Sequence, residues 1–510
     1  MHWLTLSAIM IFGTVSSLRY HTLCQNNNYK LPLNNRFLIH FASCLAALLP
    51  AIIAFSLIKK YDALVFALSA CFFIVAALVF GFLYYSNKTK LKFTYRASLT
   101  FVFANYLQIM MVVILGLFVT NARALFITCS LIYLISPLVL VGALSLVNPV
   151  FVKKNRNFIA KCKEKLDKIS PIRIGITGSY GKTSCKNILA HLLEGDFKVC
   201  ATEKNYNTPM GIALTVDKMP SDTQVFIAEM GARRTGDIAE LCQLVEPDYG
   251  IITGITNQHL ETFKTIENIF REKYNLAISL TDKSTCVFNG TDKYTLKMYK
   301  QYKGKKALIK INNFADLYAS DIVTDSEGSR FAINYKNGRL ECQTKLLGRH
   351  NIINILLCSA LALELGVSPE NLLERIKNLP QVPHRLQLIK ANGINILDDS
   401  YNANSLGIKY SLECLGYFDT RKVVLTQGIV ELGNEQKEAN KQIGQMIAGV
   451  ADAVILCGIN ADDIRKGLDG AGYSKQVYLF NTLKEAKDNF KSILQQGDTL
   501  LIQNDLPDVI

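Results

Sequence analysis

Several things are scarce in this chain of 510 residues, and each scarcity excludes a class. There is one tryptophan and there are 12 prolines, while aromatics still make up 10%, so the chain has neither the low-complexity nor the highly charged bias that prevents a core from forming. The 13 cysteines include no CxxC pair and no Cys/His cluster at zinc spacing, so reduced thiols are expected rather than a metal or disulfide framework. Acid is nearly missing from residues 1–150, where Asp62 stands alone against ten Lys and Arg. The overall charge of +14 is therefore uneven: +9 in those 150 residues and +5 in the other 360. Basic residues set between apolar runs are a topological pattern, and no nucleic-acid partner is expected.

What is abundant is apolar sequence, 50% hydrophobic with a mean hydropathy of +0.19. Four runs, Phe37 to Ile58, Ala63 to Tyr85, Ala97 to Val119 and Ala124 to Val147, exceed the ~20 residues needed to cross a bilayer, and Trp3 to Ser17 reads as a shorter first span. On alternate sides, Arg19, Lys30, Arg36, Lys88, Lys90, Lys92 and Arg96 oppose Lys59, Lys60 and Arg123. That asymmetry predicts an outside N-terminus, five spans and a cytosolic C-terminal part. Residues 1–150 are thus expected to be a multi-pass region of the cytoplasmic (inner) membrane, with membrane lipid as partner, followed by a basic linker over 151–170. No span carries a charge in its core, which favours anchoring or a lipid pocket over an ion path.

Beyond Pro171 the pattern becomes β-branched runs alternating with amphipathic helices, the signature of parallel α/β sheets. IRIGIT reads as a strand, TGSYGKTS as a glycine turn and CKNILAHLLEG as a helix. Such a unit puts backbone N–H groups and the positive helix end around a polyphosphate. Gly178 and Gly181 allow close approach, Lys182 can reach the β- and γ-phosphates, and Thr183 can ligate Mg²⁺. Ile176 stands where the eight-residue phosphate-loop motif has its first glycine. QVFIAEMG is a second strand, and its terminal Glu229 falls at the edge where ligands collect in such sheets, able to hold a metal. His259 opens a helix after a further strand, and Lys273 lies some four turns on; alone, these read equally as a structural histidine and a solvated lysine.

Residues 283–345 lose the helical period and predict short strands. Near Leu347 a boundary is expected, with HNIINILLCSALALELG as the first helix of a second α/β domain. There Asn351 reads equally as an N-cap, and INILD, KVVLT, DAVIL and TLLIQ are the strands. The cluster DDSYNANS follows the first of them, where Asp398 and Asn402 read equally as turn formers. The expected fold is an α-helical membrane region, then a P-loop α/β domain with a parallel sheet over 171–346 and a Rossmann-like α/β domain over 347–510.

TGSYGKTS, NYNTPMG, AEMGARRTGDIAELCQLVEPD, NQHLETF, GRHNIINILLCSALALE, PHRLQ, DDSYNANS and GIVELG occur in the order found in Mur ligases, and over about 171–510 the chain resembles that family, most of all its branch that adds D-alanyl-D-alanine to a UDP-N-acetylmuramoyl tripeptide. The resemblance implies an ATP-dependent, Mg²⁺-dependent ligase that phosphorylates an acceptor carboxylate and joins the acyl phosphate to an amine. Its partners would be a muramoyl-peptide-like acceptor and an amino acid or dipeptide. It further implies that Gly178, Ser179, Gly181, Lys182, Thr183 and Ser184 hold the nucleotide, with His350, Asn351 and Asn354 at the adenine, Arg385 at the phosphates and Asp399 at the ribose. Metal would be held through Thr183, Glu229, His259 and a carbamylated Lys273, with Lys182, His259 and Lys273 as catalytic groups. Asn205, Asn207, Thr208, Asn402 and Asn404 would line the substrate. The family's N-terminal uridine-gripping domain has no counterpart, and the five-helix region is expected to present a membrane-linked acceptor in its place. A P-loop ATPase coupled to the spans, as transporter or regulator, is the alternative.

Overall fold

In a computed structural model of the chain, residues 2–26, 29, 71, 73–78, 91–118, 124, 127–128, 131–132, 135–257, 260–281, 284–401, 404–430 and 432–503 are described. Two compact units emerge, Met1–Asn157 and Phe158–Pro507. The first holds helices α1 (His2–Asn26) and α2 (Tyr95–Phe118) and the opening of α3 (Ser136–Ile169). Tyr20, Cys24, Ala97, Ala104, Leu140, Ala143 and Leu144 form its core, where the alanines let helices approach closely.

Multi-pass insertion is not borne out. Among the described residues two helices, Tyr95–Ile114 and Ser136–Ile169, are long and apolar enough to cross a membrane. In α1 the apolar run is broken by Ser16, Ser17, Arg19, His21 and Thr22. The run Phe37 to Ile58 lies outside the described residues, as does Ala63 to Tyr85 apart from 71 and 73–78. An inner-membrane location, a lipid partner and the span-coupled ATPase lose their basis together. The expected linker over 151–170 is helical: α3 runs to Ile169, and within the second unit Phe158, Ile159, Cys162 and Leu166 pack into a core.

The second unit begins with β1 (Ile172–Thr177), α4 (Lys182–Leu193), β2 (Val199–Ala201), α5 (Pro209–Lys218), β3 (Val225–Glu229), α6 (Asp237–Val245) and β4 (Tyr249–Ile252). It continues through α7 (Leu260–Phe263), α8 (Ile266–Ile278), β5 (Cys286–Asn289), α9 (Lys293–Gln301), β6 (Lys306–Ile311), β7 (Leu317–Asp325), β8 (Gly328–Tyr335), β9 (Gly338–Thr344), α10 (Arg349–Glu364) and α11 (Pro369–Lys377). The nine strands form one sheet in the order β2-β3-β1-β4-β5-β6-β7-β8-β9, parallel except for the β7-β8-β9 meander. Because β3 and β4 flank β1 on opposite sides, the chain reverses direction across the sheet beside β1, and the crevice at the carboxyl ends of these strands is where such sheets bind ligands. Buried on both faces, β1 and β3 are nearly uninterrupted apolar runs.

On one face α4 and α10 bring Ile188, Leu189, Leu192, Ile352, Leu356 and Leu361 together. The helix α10, expected at the head of the C-terminal domain, thus packs against the first sheet. On the other face lie α5, α6 and α8, with Ile212, Leu241 and Leu276. Helix α9 occupies a stretch expected to be strands and turns.

The second sheet comprises β10 (Gln387–Ala391), β11 (Ile394–Asp399), β12 (Lys422–Thr426), β13 (Ala453–Cys457), β14 (Gln476–Phe480) and β15 (Thr499–Gln503), in the order β10-β11-β15-β12-β13-β14. All neighbours but β10 and β11 run parallel. Helices α12 (Ser405–Leu415), α13 (Gln436–Ala448) and α14 (Ala461–Gly470) cover one face through Leu412, Ile443 and Ile464. Ala486 and Ile493 lie in the core against the other face.

Leu189 is fully buried between α4 and the sheet. Leu189→Ala removes its methyl groups and leaves a cavity, and is expected to lower unfolding stability by about 3 kcal/mol. A urea midpoint within error of the wild type would contradict this packing.

Candidate functional site

The site grows from the end of β1. After Thr177 the chain turns through Gly178 at φ 152° and Gly181 at φ 76°, backbone conformations that L side chains adopt with strain. A Cβ on Gly178 would lie 2.0 Å from Thr253 Oγ1, so the end of β4 forms the floor of the turn. Ser179 N–H donates to the Gly254 carbonyl at 2.8 Å, and the Thr253 hydroxyl donates to the Tyr180 carbonyl. Lys182 curls back, its Nζ 2.8 Å from the Gly178 carbonyl. Thr183 and Ser184 open α4, whose first N–H groups have no intrahelical acceptor and point their partial positive charge outward.

Glu229 stands beside this turn because β3 pairs with β1 in a register that sets it next to Ile176. It is 1% exposed. Its Oε1 accepts from Asn207 Nδ2 at 3.2 Å. Its Oε2 lies 3.3 Å from Lys186 Nζ, at ion-pair distance but without an aligned hydrogen bond. Burial pulls Lys182 and Lys186 below the ordinary lysine range, and the charge of Glu229 holds both of them up. Arg385, from the second sheet's side, lies over the Tyr401 ring at 4.1 Å. Burial lowers it too, against the charges of Asp399, Tyr401 and Glu229. A buried carboxylate with one oxygen lacking a hydrogen bond, surrounded by more cations than it can neutralise, fits a polyanion together with a divalent cation.

Lys273 projects from α8 and is 3% exposed. Burial and the charge of Lys182 bring it down to about 7, against the pull of Glu272 and Asp237. Glu272 is committed elsewhere, accepting from the N–H groups of Gly236 at 2.8 Å and Ile238 at 2.6 Å, so it fixes α8 against the start of α6. Among the described residues no group of three His, Cys, Asp or Glu gathers as a ready metal cage; His259 lies outside them.

Of the residues expected at the adenine, His350 stacks on Tyr410 at 5.5 Å between centroids, and burial lowers it to about 4, so it is neutral. Its Nδ1 is buried without a hydrogen bond. Asn351 instead turns inward, donating to the Leu347 carbonyl at 2.9 Å. Asn354 Oδ1 accepts from Cys185 Sγ at 3.3 Å and crowds Gly181, so it braces the glycine turn. Asp399, raised to about 7 by burial and eased by Arg385, sits at the end of β11. Asn205 faces the Tyr401 hydroxyl. Thr208 and Asn404 cap α5 and α12, accepting from Gly211 N–H at 3.3 Å and Gly407 N–H at 3.0 Å. Asn404 also lines a cavity of about 160 Å³ with Thr256, Asn257, Leu406, Ile429 and Leu432. Asn402 lies outside the described residues. Lys186, Tyr401 and Tyr410 escaped the sequence reading, although Lys186 follows Lys182 by one helical turn, a spacing that puts both on one side of α4.

Residues 176–362 match the Mur ligase middle domain and residues 384–503 match the Mur ligase, glutamate ligase domain, together more than half of the chain. The chain belongs to the Mur ligase family. It is 26% identical over 345 residues to the UDP-N-acetylmuramoyl-tripeptide--D-alanyl-D-alanine ligase of Bacillus subtilis, covering 67% of this chain and 74% of that one. The ligase of the same name from Buchnera aphidicola is 29% identical over 283 residues, 55% of this chain; the chain spans 62% of that relative's length. In fold it is similar to the MurF ligase of Thermotoga maritima in complex with ADP, with a TM-score of 0.62 and 24% identity over 69% of this chain and 80% of that one. MurF from Acinetobacter baumannii superposes with a TM-score of 0.62 at 23% identity, over 68% of this chain and 76% of that one.

Lys273 gives the site a pH signature. Its folded value lies below that of the unfolded chain, so the unfolded state binds the extra proton and stability rises with pH between about 7 and 10.5 through this group. Titration of Lys273 Nζ by NMR is expected to show a midpoint near 7; a midpoint in the ordinary lysine range would contradict its burial.

Proposed function

We propose that the protein is an ATP-dependent ligase of peptidoglycan precursor synthesis, joining D-alanyl-D-alanine to the peptide carboxylate of a UDP-N-acetylmuramoyl tripeptide. The reaction transfers the terminal phosphoryl group to the acceptor carboxylate, giving an acyl phosphate. The amine then adds to its carbonyl carbon, loses a proton and expels inorganic phosphate. The observation that carries this reading is the cation-ringed Glu229 beside the glycine turn, at the strand edge where two anions have to be brought together. The relatives named for this reaction support the choice of acceptor and amine.

Each residue then has a task. The turn from Gly178 to Gly181 with Ser179, and the N–H groups of Thr183 and Ser184, cradle phosphate oxygens, and Lys182 leaves the Gly178 carbonyl to meet them. Arg385 adds charge from the C-terminal domain. Bound Mg²⁺ would neutralise phosphate and carboxylate charge, held by Glu229 and Thr183 with His259 and Lys273 completing the set. At a pKa near 7 Lys273 presents the free amine that carbamylation requires. His350 and Tyr410 offer stacked rings to a base, and Asp399 a carboxylate to a ribose. Asn205, Asn207 and Thr208 form the acceptor side. The cavity at Asn404 lies on the side of the amine, where Asn402 would also serve.

Phosphate release from purified protein, ATP, acceptor and D-alanyl-D-alanine tests the reading, with single amino acids as competitors. Lys182→Ala is expected to lower the rate on the order of 10³-fold, and an unchanged rate would mean that the cradle is misassigned.

A further inference from the structure

The side chain of Lys186 is as buried as that of Glu229, each 2% exposed, yet the phosphate cradle does not need it. Its Nζ donates to the carbonyl of Lys204, a residue held at φ 46°, where a side-chain-bearing residue is strained and persists only if its surroundings hold it. The same Nζ lies 3.3 Å from Glu229 Oε2, while Glu229 Oε1 accepts from Asn207. Asn207 is held in turn through its carbonyl, which accepts from Gly231 N–H at 3.0 Å. The contacts close a ring from Lys186 to Glu229, to Asn207, back along the chain to Lys204, and so to Lys186 again. Asn205 sits inside that ring and reaches Tyr401.

We propose that Lys186 is a positioning residue: it pins the strap 204–207 against Glu229, so that Asn205 and Asn207 are set for the acceptor before any substrate arrives. Naming the acceptor rests on the function proposed above; the pinning itself does not. Without the ammonium group, the carbonyl of Lys204 loses its donor and the left-handed backbone relaxes. The glycine turn and Lys182, which bonds the Gly178 carbonyl, make none of these contacts and stay in place.

The test is hydrogen exchange on the full-length, ligand-free protein. In Lys186→Met, amides of 203–212 are expected to exchange about tenfold faster while those of 422–426 in the second sheet are unchanged. Exchange as slow as in the wild type would overturn the proposal. Because that variant leaves a buried carboxylate without its cation and can fail to fold, the double variant Lys186→Met/Glu229→Gln removes both charges; its strap is expected to loosen in the same way, and a strap as protected as in the wild type would again overturn it. In turnover, Lys186→Met is expected to raise the acceptor KM about fivefold and, measured without Mg²⁺ so that Glu229 plays no part, leave the dissociation constant for ADP within about twofold. Parallel loss of ADP binding would mark a general structural role and overturn the proposal. A wild-type protein that shows no acceptor turnover would instead refute the proposed function, with the exchange result standing apart.

Discussion

A carboxylate buried among cations is the constraint on which the rest of the structure turns. Glu229 is 1% exposed, a burial that is costly for a carboxylate unless opposite charge lies close by, and Lys186 supplies it at 3.3 Å. Lys182 and Arg385 feel the same carboxylate, and Lys273 lies in the field of Lys182. Glu229, with an Asp399 that burial raises to about 7 and so leaves only partly charged, cannot balance the cations around it at low dielectric, where charges interact far more strongly than in water. The surplus is positive, so the site is built to be completed by an anion. A polyphosphate meeting a second carboxylate is such an anion, and neutralising both is the central demand of phosphorylating an acid.

Architecture answers that constraint with few parts. The reversal of strand order beside β1 opens a crevice into which the glycine turn, Glu229 and Thr253 all project from strand ends. The helix that follows the turn supplies Lys182 at its first position and Lys186 one turn later, so a single element serves both the phosphate cradle and the strap 204–207. Glu272 holds α8 by accepting from the start of α6, and this keeps Lys273 buried in the right place. The second sheet brings Arg385, Asp399 and Tyr401 to the same group of charges.

Much of this was legible because it is local in sequence. The run of β-branched residues before Gly178, the glycines themselves and the helix after them specify strand, turn and cradle without reference to the rest of the chain, and Glu229 was found because it ends an apolar run. The strands β11, β12, β13 and β15 announce themselves in the same way. Other features depend on partners distant in the chain. Helix α10 is apolar on nearly every side, so its pattern does not say which sheet it covers, and it was assigned to the wrong domain. Helix α9, KYTLKMYKQ, buries only Thr295 and Met298, too thin a stripe to reveal its period. Lys186 looks like any exposed helix lysine until Lys204 and Glu229 fold over it, and Asn351, which read as an N-cap, lies within α10 and donates to the Leu347 carbonyl while Gly348 takes the N-cap position. The apolar runs near the N-terminus were read from their length, their lack of charge and the basic residues flanking them, and among the described residues two helices meet the length and composition test.

The central claim is that a carboxyl group becomes phosphorylated at this site before nitrogen is joined to it. The measurement that tests it most directly uses acceptor labelled with ¹⁸O in the reacting carboxyl group, incubated with the protein, ATP and D-alanyl-D-alanine. The account predicts that one labelled oxygen leaves with each inorganic phosphate released, since the acyl C–O bond breaks as the amide forms. Product formed together with unlabelled phosphate would contradict it.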